Sequence, residues 1–224
     1  MSIIVTNSYR LNDMKQIKII DKVYLANDGE LRTHHMQKVH LQQGELDGAC
    51  AVYSMMMCLV VEKIVNRKTI KNPPKELKRN TSDGRLVRSF LEKQGMVVNG
   101  YEIKKLHEDL QNAFKRKVDS IYYGYEDTNL VDVIVNCLDD NHPVEIGFSY
   151  MVGKKGHAVV AIGYQDDNDK IKLYCVDPAY PMGECQIWNN VLEIDKTSKA
   201  KYNCHNVKED FKVMIDEILY FIKK

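Results

Sequence analysis

The 224-residue sequence predicts an α+β fold, with helices first and an antiparallel sheet second. Three observations predict it. A run that is apolar nearly all round starts at Cys50 and reads as a buried helix to about Asn66. Two further stretches before residue 116 repeat apolar residues at helical spacing. From Pro143 onward, the strand-like runs PVEIGFSY, HAVVAIGY and IKLYCVD succeed one another through turn-rich connectors.

Residues 1–35 read as an N-terminal extension of short strands and turns. In IKIIDKVYLANDGELR, Asn27-Asp28-Gly29 signals a hairpin turn. His34 and His35 follow in a polar stretch and are expected to be exposed. In the helix from Cys50, Val52, Met55, Met56, Leu59 and Lys63 mark one face, and Met57, Cys58 and Val61 make the other apolar; the methionines read as core filling. Lys71-Asn72-Pro73-Pro74 breaks the pattern. Thr81, Ser82 or Asp83 caps a second helix carrying Leu86, Val87, Phe90 and Leu91, which Gly95 ends. Tyr101 to Lys115 is a third, with Ile103, Leu106, Leu110 and Phe114 on its apolar face. A short helix from Thr128 runs through Val131, Ile134 and Leu138 to Asn141-His142-Pro143.

The strands come next. Val144, Ile146, Phe148 and Tyr150 share one face of the first. The second is almost wholly apolar, as a central strand covered on both sides would be. MVGKKG and QDDNDK are turn-rich connectors, so an antiparallel meander is expected. KTSKAKYNCHN reads as a loop. Phe211, Met214, Ile215, Ile218 and Ile222 place a C-terminal amphipathic helix in EDFKVMIDEILYFIKK. The helical and sheet halves are expected to form two lobes with a cleft between them.

Thirty-two basic and 31 acidic residues nearly balance, with no basic stripe interleaved with aromatics, so no nucleic-acid partner is expected. The opening MSIIVTNSYRLNDMKQIKII lacks the pattern of a signal peptide. No apolar run approaches the ~20 residues that span a bilayer, so no membrane partner is expected. The expected location is the cytoplasm, with non-classical export as the other route. The six scattered cysteines read as free thiols. No C-x-x-C pair occurs, and Cys204-His205 stands alone as a potential ligand pair, so neither a metal nor a cofactor is expected.

Cys50 heads the buried helix, where the unpaired N–H groups and positive end of the dipole favour an anion. A thiolate is such an anion and is the reactive form of cysteine. Gly48 and Ala49 leave little bulk in front of it. A cysteine nucleophile needs a base and the base an orienting group. His157 opens the strand HAVVAIGY and is the candidate base. Asp177 ends the next strand, in VDPAY, where adjacent antiparallel strands would bring it beside His157 to take the Nδ1 proton. The backbone N–H of Cys50 and the side chain of Gln43 or Gln42 are candidate oxyanion donors. Trp188, the single tryptophan, either shields the His–Asp pair or fills the sheet surface.

Gln43, Cys50, His157 and Asp177, with GHAVVAIGY and VDPAYPMGECQIW around the last two, resemble the catalytic order of the papain-like cysteine peptidase superfamily. The nearest resemblance is to its bacterial branch related to the double-glycine leader peptidases. Gln43 stands seven residues before Cys50, one further than that branch's usual spacing, and Gln42 eight. The resemblance covers residues 36–195 and implies a two-lobe papain-like fold: a helical lobe whose central helix starts at the cysteine, and a sheet lobe carrying His157 and Asp177. Residues 196–224 are left as the loop and C-terminal helix. The implied activity is peptide or amide hydrolysis through an acyl-enzyme, acting on a peptide or protein. The same site suits an effector or toxin that deamidates, transglutaminates or removes a ubiquitin-like tag. A non-catalytic peptide-binding domain of the same fold, or a purely structural domain, is the remaining reading.

Overall fold

The computed structural model describes residues 16–44, 49–71, 81–91, 101–152 and 156–224. Gly48, Pro73-Pro74, Gly95 and residues 153–155 of the MVGKKG connector lie outside the described residues.

The hairpin at Asn27-Asp28-Gly29 is present. After β1 (Lys18–Ile19), strands β2 (Val23–Leu25) and β3 (Leu31–Thr33) pair antiparallel across it. Gly29 sits at φ +76°, a conformation that a side chain disfavours, and its carbonyl accepts the Cys185 N–H at 3.0 Å. The hairpin is thereby docked onto the loop after Asp177.

Five helices are described. α1 (Cys50–Val61) is shorter than expected: Glu62 caps it, and Lys63 turns the chain at φ +57°. Its residues Ala51, Val52 and Ser54 to Val61 are all buried, which explains why the sequence is apolar on every side. α2 (Arg67–Lys71) follows. α3 (Ser82–Leu91) is capped by Thr81, whose Oγ1 accepts the Gly84 N–H at 3.2 Å, resolving the three candidates. α4 (Ile103–Phe114) buries Ile103, Leu106 and Leu110. Strand β4 (Val118–Gly124) comes next, and then α5 (Leu130–Asp139), capped by the Asn129 side chain on the Val131 N–H.

The expected meander is there and continues further. β5 (Val144–Tyr150), β6 (His157–Asp167), β7 (Lys170–Val176) and β8 (Asn190–Asp195) pair in succession, all antiparallel. The rest of the chain closes this sheet. β9 (Cys204–Asn206), inside the stretch expected to be a loop, pairs β8 and β10 (Phe211–Lys223), and β10 pairs β5. Strands β5 to β10 thus form a closed ring, with β1 on the open edge of β6 and β4 beside the far half of β10.

The C-terminal segment is therefore a 13-residue strand rather than a helix. Its apolar residues fit both periods. A register shift between Ile215 and Glu217 interrupts the two-residue alternation and mimics helical spacing. Pairing along both edges decides the outcome. Phe211 and Ile222, which the helix would have buried, are 40% and 39% exposed, whereas Leu219 and Phe221 are fully enclosed.

α1 packs across β6 and β5. Its Ser54 Oγ donates to the Ala158 carbonyl at 3.1 Å and fixes the helix against the start of β6. The head of α1 and the first residue of β6 are thereby brought together.

Candidate active site

Cys50 is the first residue of α1. Ala49, before it, has no side chain to bond the first-turn N–H groups, and that turn carries no acidic residue. Nothing from these residues competes with an anion at the helix head. Cys50 is half-buried, so a ligand can reach its thiol. The other described thiols differ. Burial pushes Cys58 and Cys175 well above the usual thiol range, Cys137 up to about 11 and Cys204 up to about 12. Cys185 is exposed on a loop.

His157 is the first residue of β6, and Asp177 follows the last residue of β7. Val160 pairs with Val176, and this register sets the two side chains together at the same end of neighbouring strands. His157 Nε2 donates to Asp177 Oδ1 at 2.8 Å. The expected nitrogen was Nδ1, and the geometry corrects it: with Nε2 held by the carboxylate, Nδ1 is the atom left for the thiol, which is hydrogen-bonded to the ring. Burial works against the imidazolium, but the hydrogen bonds to Asp177 and Cys50 outweigh it, and His157 is pushed up to about 10. The ring is seated edge-on against Phe148, with centroids 5.6 Å apart.

The three groups differ in exposure. Asp177 is fully enclosed, whereas the His157 side chain is 11% exposed and Cys50 is half-buried. Both oxygens of the buried Asp177 carboxyl are hydrogen-bonded. Oδ1 also accepts the Ala179 N–H at 2.8 Å, and Oδ2 accepts Asn190 Nδ2 at 2.8 Å. Its backbone is clamped as well: Asp177 N–H donates to Asn189 Oδ1 at 2.6 Å, and the Asp177 carbonyl accepts Asn189 Nδ2 at 2.9 Å and His40 Nε2 at 3.2 Å. Burial depresses the basicity of His40, which suits its role as a neutral donor.

Asn189, Asn190 and His40 escaped the sequence reading. The two asparagines follow Trp188 in a segment with no motif, and their role depends on β8 lying beside β7. His40 is buried at 5% exposure, in contrast to the adjacent pair His34-His35.

Gln43 and Gln42 are separated by burial: Gln42 is exposed and Gln43 half-buried. Gln43 N–H donates to the Pro178 carbonyl at 2.9 Å, which ties this residue to the loop carrying Asp177. Its side-chain Oε1 is enclosed and has no partner among the described residues. Trp188 packs on Tyr174, with ring centroids 4.3 Å apart, and so takes the sheet-filling role; the ring against His157 is that of Phe148.

Among the described residues no cluster of side chains suits a metal ion, and no helix is long and apolar enough to cross a membrane.

An α+β fold that sets a helix-heading thiol against a strand-borne imidazole is that of the papain-like cysteine peptidases. Residues 33–205, more than half of the chain, match the model of the Peptidase_C39 like family, and the chain belongs to it. It is thereby related to the C39 peptidases that process bacteriocins. A search of curated proteins gave no match.

Proposed function

We propose that the chain is a cysteine peptidase in which Cys50, His157 and Asp177 act together on a peptide or protein substrate. The observation that carries this reading is the geometry of His157. Its Nε2 is fixed by a buried carboxylate, and its Nδ1 is left to the thiol at the head of α1.

The proton of Cys50 rests on His157, and the thiolate attacks the substrate carbonyl carbon. The new C–S bond pushes charge onto the carbonyl oxygen. The Cys50 N–H and the Gln43 side chain receive that oxyanion. His157 Nδ1 then gives its proton to the leaving nitrogen as the C–N bond breaks, leaving a thioester. Neutral His157 next takes a proton from water, and the hydroxide attacks the thioester. The C–S bond breaks, the acid departs, and the thiolate–imidazolium pair is restored. Asp177 stays ionised throughout and holds the ring through Nε2.

The test is turnover of a peptide library by the protein and by Cys50→Ala. Peptide cleavage that Cys50→Ala abolishes supports the reading. Cleavage that survives in Cys50→Ala defeats it, and ammonia release without cleavage replaces it with deamidation.

A further inference from the structure

Gln43 and Asp177 come from opposite parts of the chain, yet they are tied to one another. Gln43 ends residues 37–43, the stretch that follows β3 and leads toward α1. Asp177 lies beyond β7. Its loop is already held from the head of β8 by Asn189, whose Nδ2 donates to the Asp177 carbonyl at 2.9 Å and to the Tyr180 carbonyl at 3.0 Å. Two bonds cross to this loop from residues 37–43. His40 Nε2 donates to the Asp177 carbonyl at 3.2 Å, and the Gln43 N–H donates to the Pro178 carbonyl at 2.9 Å. Because Asn189 holds Asp177 from its own side, what the His40 bond adds is the join between the two regions.

Residues 37–43 are also held from behind. The Gln37 carbonyl accepts the Thr33 N–H, and the Val39 N–H donates to the Leu31 carbonyl, both at 2.9 Å, so the stretch begins along β3. The Leu41 N–H donates to Met57 Sδ of α1 at 3.3 Å. Arg67 opens α2. Its backbone N–H donates to Gln37 Oε1 at 2.6 Å. Its Nη1 donates to the carbonyls of Lys38, Val39 and His40 at 2.8, 3.3 and 2.6 Å. In a regular strand successive carbonyls point to alternate sides, so three turned toward one cation mark a bend. The guanidinium fixes that bend three residues before Gln43 and meets carbonyls that no strand partner takes. Val39, His40 and Leu41 are all buried, so the stretch cannot shift without leaving polar groups unmet.

We propose that Arg67 and His40 are positioning residues for Gln43. Arg67 sets the bend of residues 38–40 from the α2 side, and His40 fastens it to the Asp177 loop. The Gln43 amide is thereby held in register with the carboxylate that orients His157. This role rests on the peptidase reading, with Cys50 as nucleophile and Gln43 as an oxyanion donor. Both residues act through Gln43, so they bear on the step in which charge develops on the carbonyl oxygen, and not on the ionisation of Cys50.

The test uses Arg67→Met, His40→Leu and Gln43→Ala in the full chain, with each of the first two also combined with Gln43→Ala. Methionine keeps the apolar stem of Arg67, and leucine much of the bulk of His40. Cleavage of a mixed-sequence peptide library is followed as new amino termini. Labelling of Cys50 by iodoacetamide at about pH 6 is followed beside it. In that reaction sulfur attacks the CH2 carbon, iodide leaves, and no oxyanion forms. Gln43→Ala slows cleavage by roughly 10²–10³-fold, the loss expected for one oxyanion donor. Arg67→Met and His40→Leu slow it by roughly 10–10²-fold, as a misplacement of about 1 Å does, and add no further loss to Gln43→Ala. All of them label Cys50 at the parent's rate. His40→Gln, which keeps an N–H donor, recovers most of the cleavage. His40→Leu decides should Arg67→Met fold poorly. Cleavage unchanged in Arg67→Met and His40→Leu overturns the proposal. So does a loss that multiplies with that of Gln43→Ala, or one matched by an equal loss of labelling in folded protein, since the residues then act elsewhere than through Gln43. Cleavage that Gln43→Ala leaves intact overturns it as well, while cleavage that survives Cys50→Ala defeats the peptidase reading itself and the proposal with it.

Discussion

Two carboxyl groups, one on β5 and one just after β7, lie fully buried on either side of β6, and they are opposites. Asp177, at the end of β7, accepts from His157, Ala179 and Asn190. Glu145, on β5, accepts from no donor among the described residues. Both are at 0% exposure, so burial alone does not decide what a carboxyl becomes. Asp177 is supplied with donors from three places and holds His157. Glu145 is surrounded by apolar and acidic groups and is driven to keep its proton.

The sharpest break of this contrast is Asp177→Ala. It frees the imidazole and leaves the Ala179 N–H and Asn190 amide buried without partners. Turnover falls by roughly 10²–10⁴-fold, as when an acid–base group is lost. Stability drops by about 3 kcal/mol, from leaving buried donors unmet. Peptide turnover and urea unfolding read the two effects.

Glu145→Leu acts in the opposite sense. It removes a buried group with no hydrogen bonds, so stability rises by about 1–3 kcal/mol near neutral pH. The gain depends on pH. A carboxyl raised above its unfolded value contributes its full stability below about pH 4.5 and loses it as pH climbs through the folded value. His157 has the same sign: its contribution is complete below about 6.5 and is lost as pH rises to about 10. The parent should therefore lose stability steadily toward alkaline pH. Glu145→Leu should flatten the earlier part of that decline and leave the part due to His157. Thermal melts from pH 4 to 10 would show it, and parallel curves for the two proteins would contradict it.

Asn190→Ala removes one of the bonds to the Asp177 carboxylate. It costs about 1–2 kcal/mol, and turnover falls several-fold while Cys50 remains the labelled residue. Smallest is Thr81→Ala, which removes the cap of α3 far from the site. It costs about 1 kcal/mol and leaves turnover unchanged; a drop in turnover would connect α3 to the site in a way the fold does not suggest.

Much of this contrast lay hidden in the sequence. Cys50, His157 and Asp177 were legible because each opens or closes an element whose periodicity is strong: a helix apolar all round, and strands bounded by Gly156 and Pro178. Which imidazole nitrogen meets Asp177 was not legible, because it depends on how the ring is turned against Phe148. Asn189 and Asn190 were not legible either, since their partners are brought in by β8 pairing with β7 across a loop. In Glu145 the alternation of PVEIGFSY was read on one face alone, and the covering of the other face by α1 is a long-range fact. The C-terminal strand failed for a local reason. The irregularity between Ile215 and Glu217 puts Met214, Ile215 and Ile218 at helical spacing, and nothing within the segment reveals that β5, β4 and β9 await it on both sides. β8 could have been read: Asn190, Leu192 and Ile194 are buried and alternate with half-buried Val191, Glu193 and Asp195.

The most direct test of the thiol–imidazole–carboxylate arrangement is site-resolved alkylation with limiting iodoacetamide at about pH 6, followed by peptide mass spectrometry, in the parent and in His157→Ala. At that pH an ordinary thiol, with a pKa near ~8.5, is almost wholly protonated and slow. The internal control is Cys185, exposed but far along a loop with no imidazole assigned to it. Cys50 should label well ahead of Cys185 in the parent and fall to the rate of Cys185 in His157→Ala. Equal labelling of Cys50 and Cys185 in the parent, or fast labelling of Cys50 that persists without His157, would contradict the account.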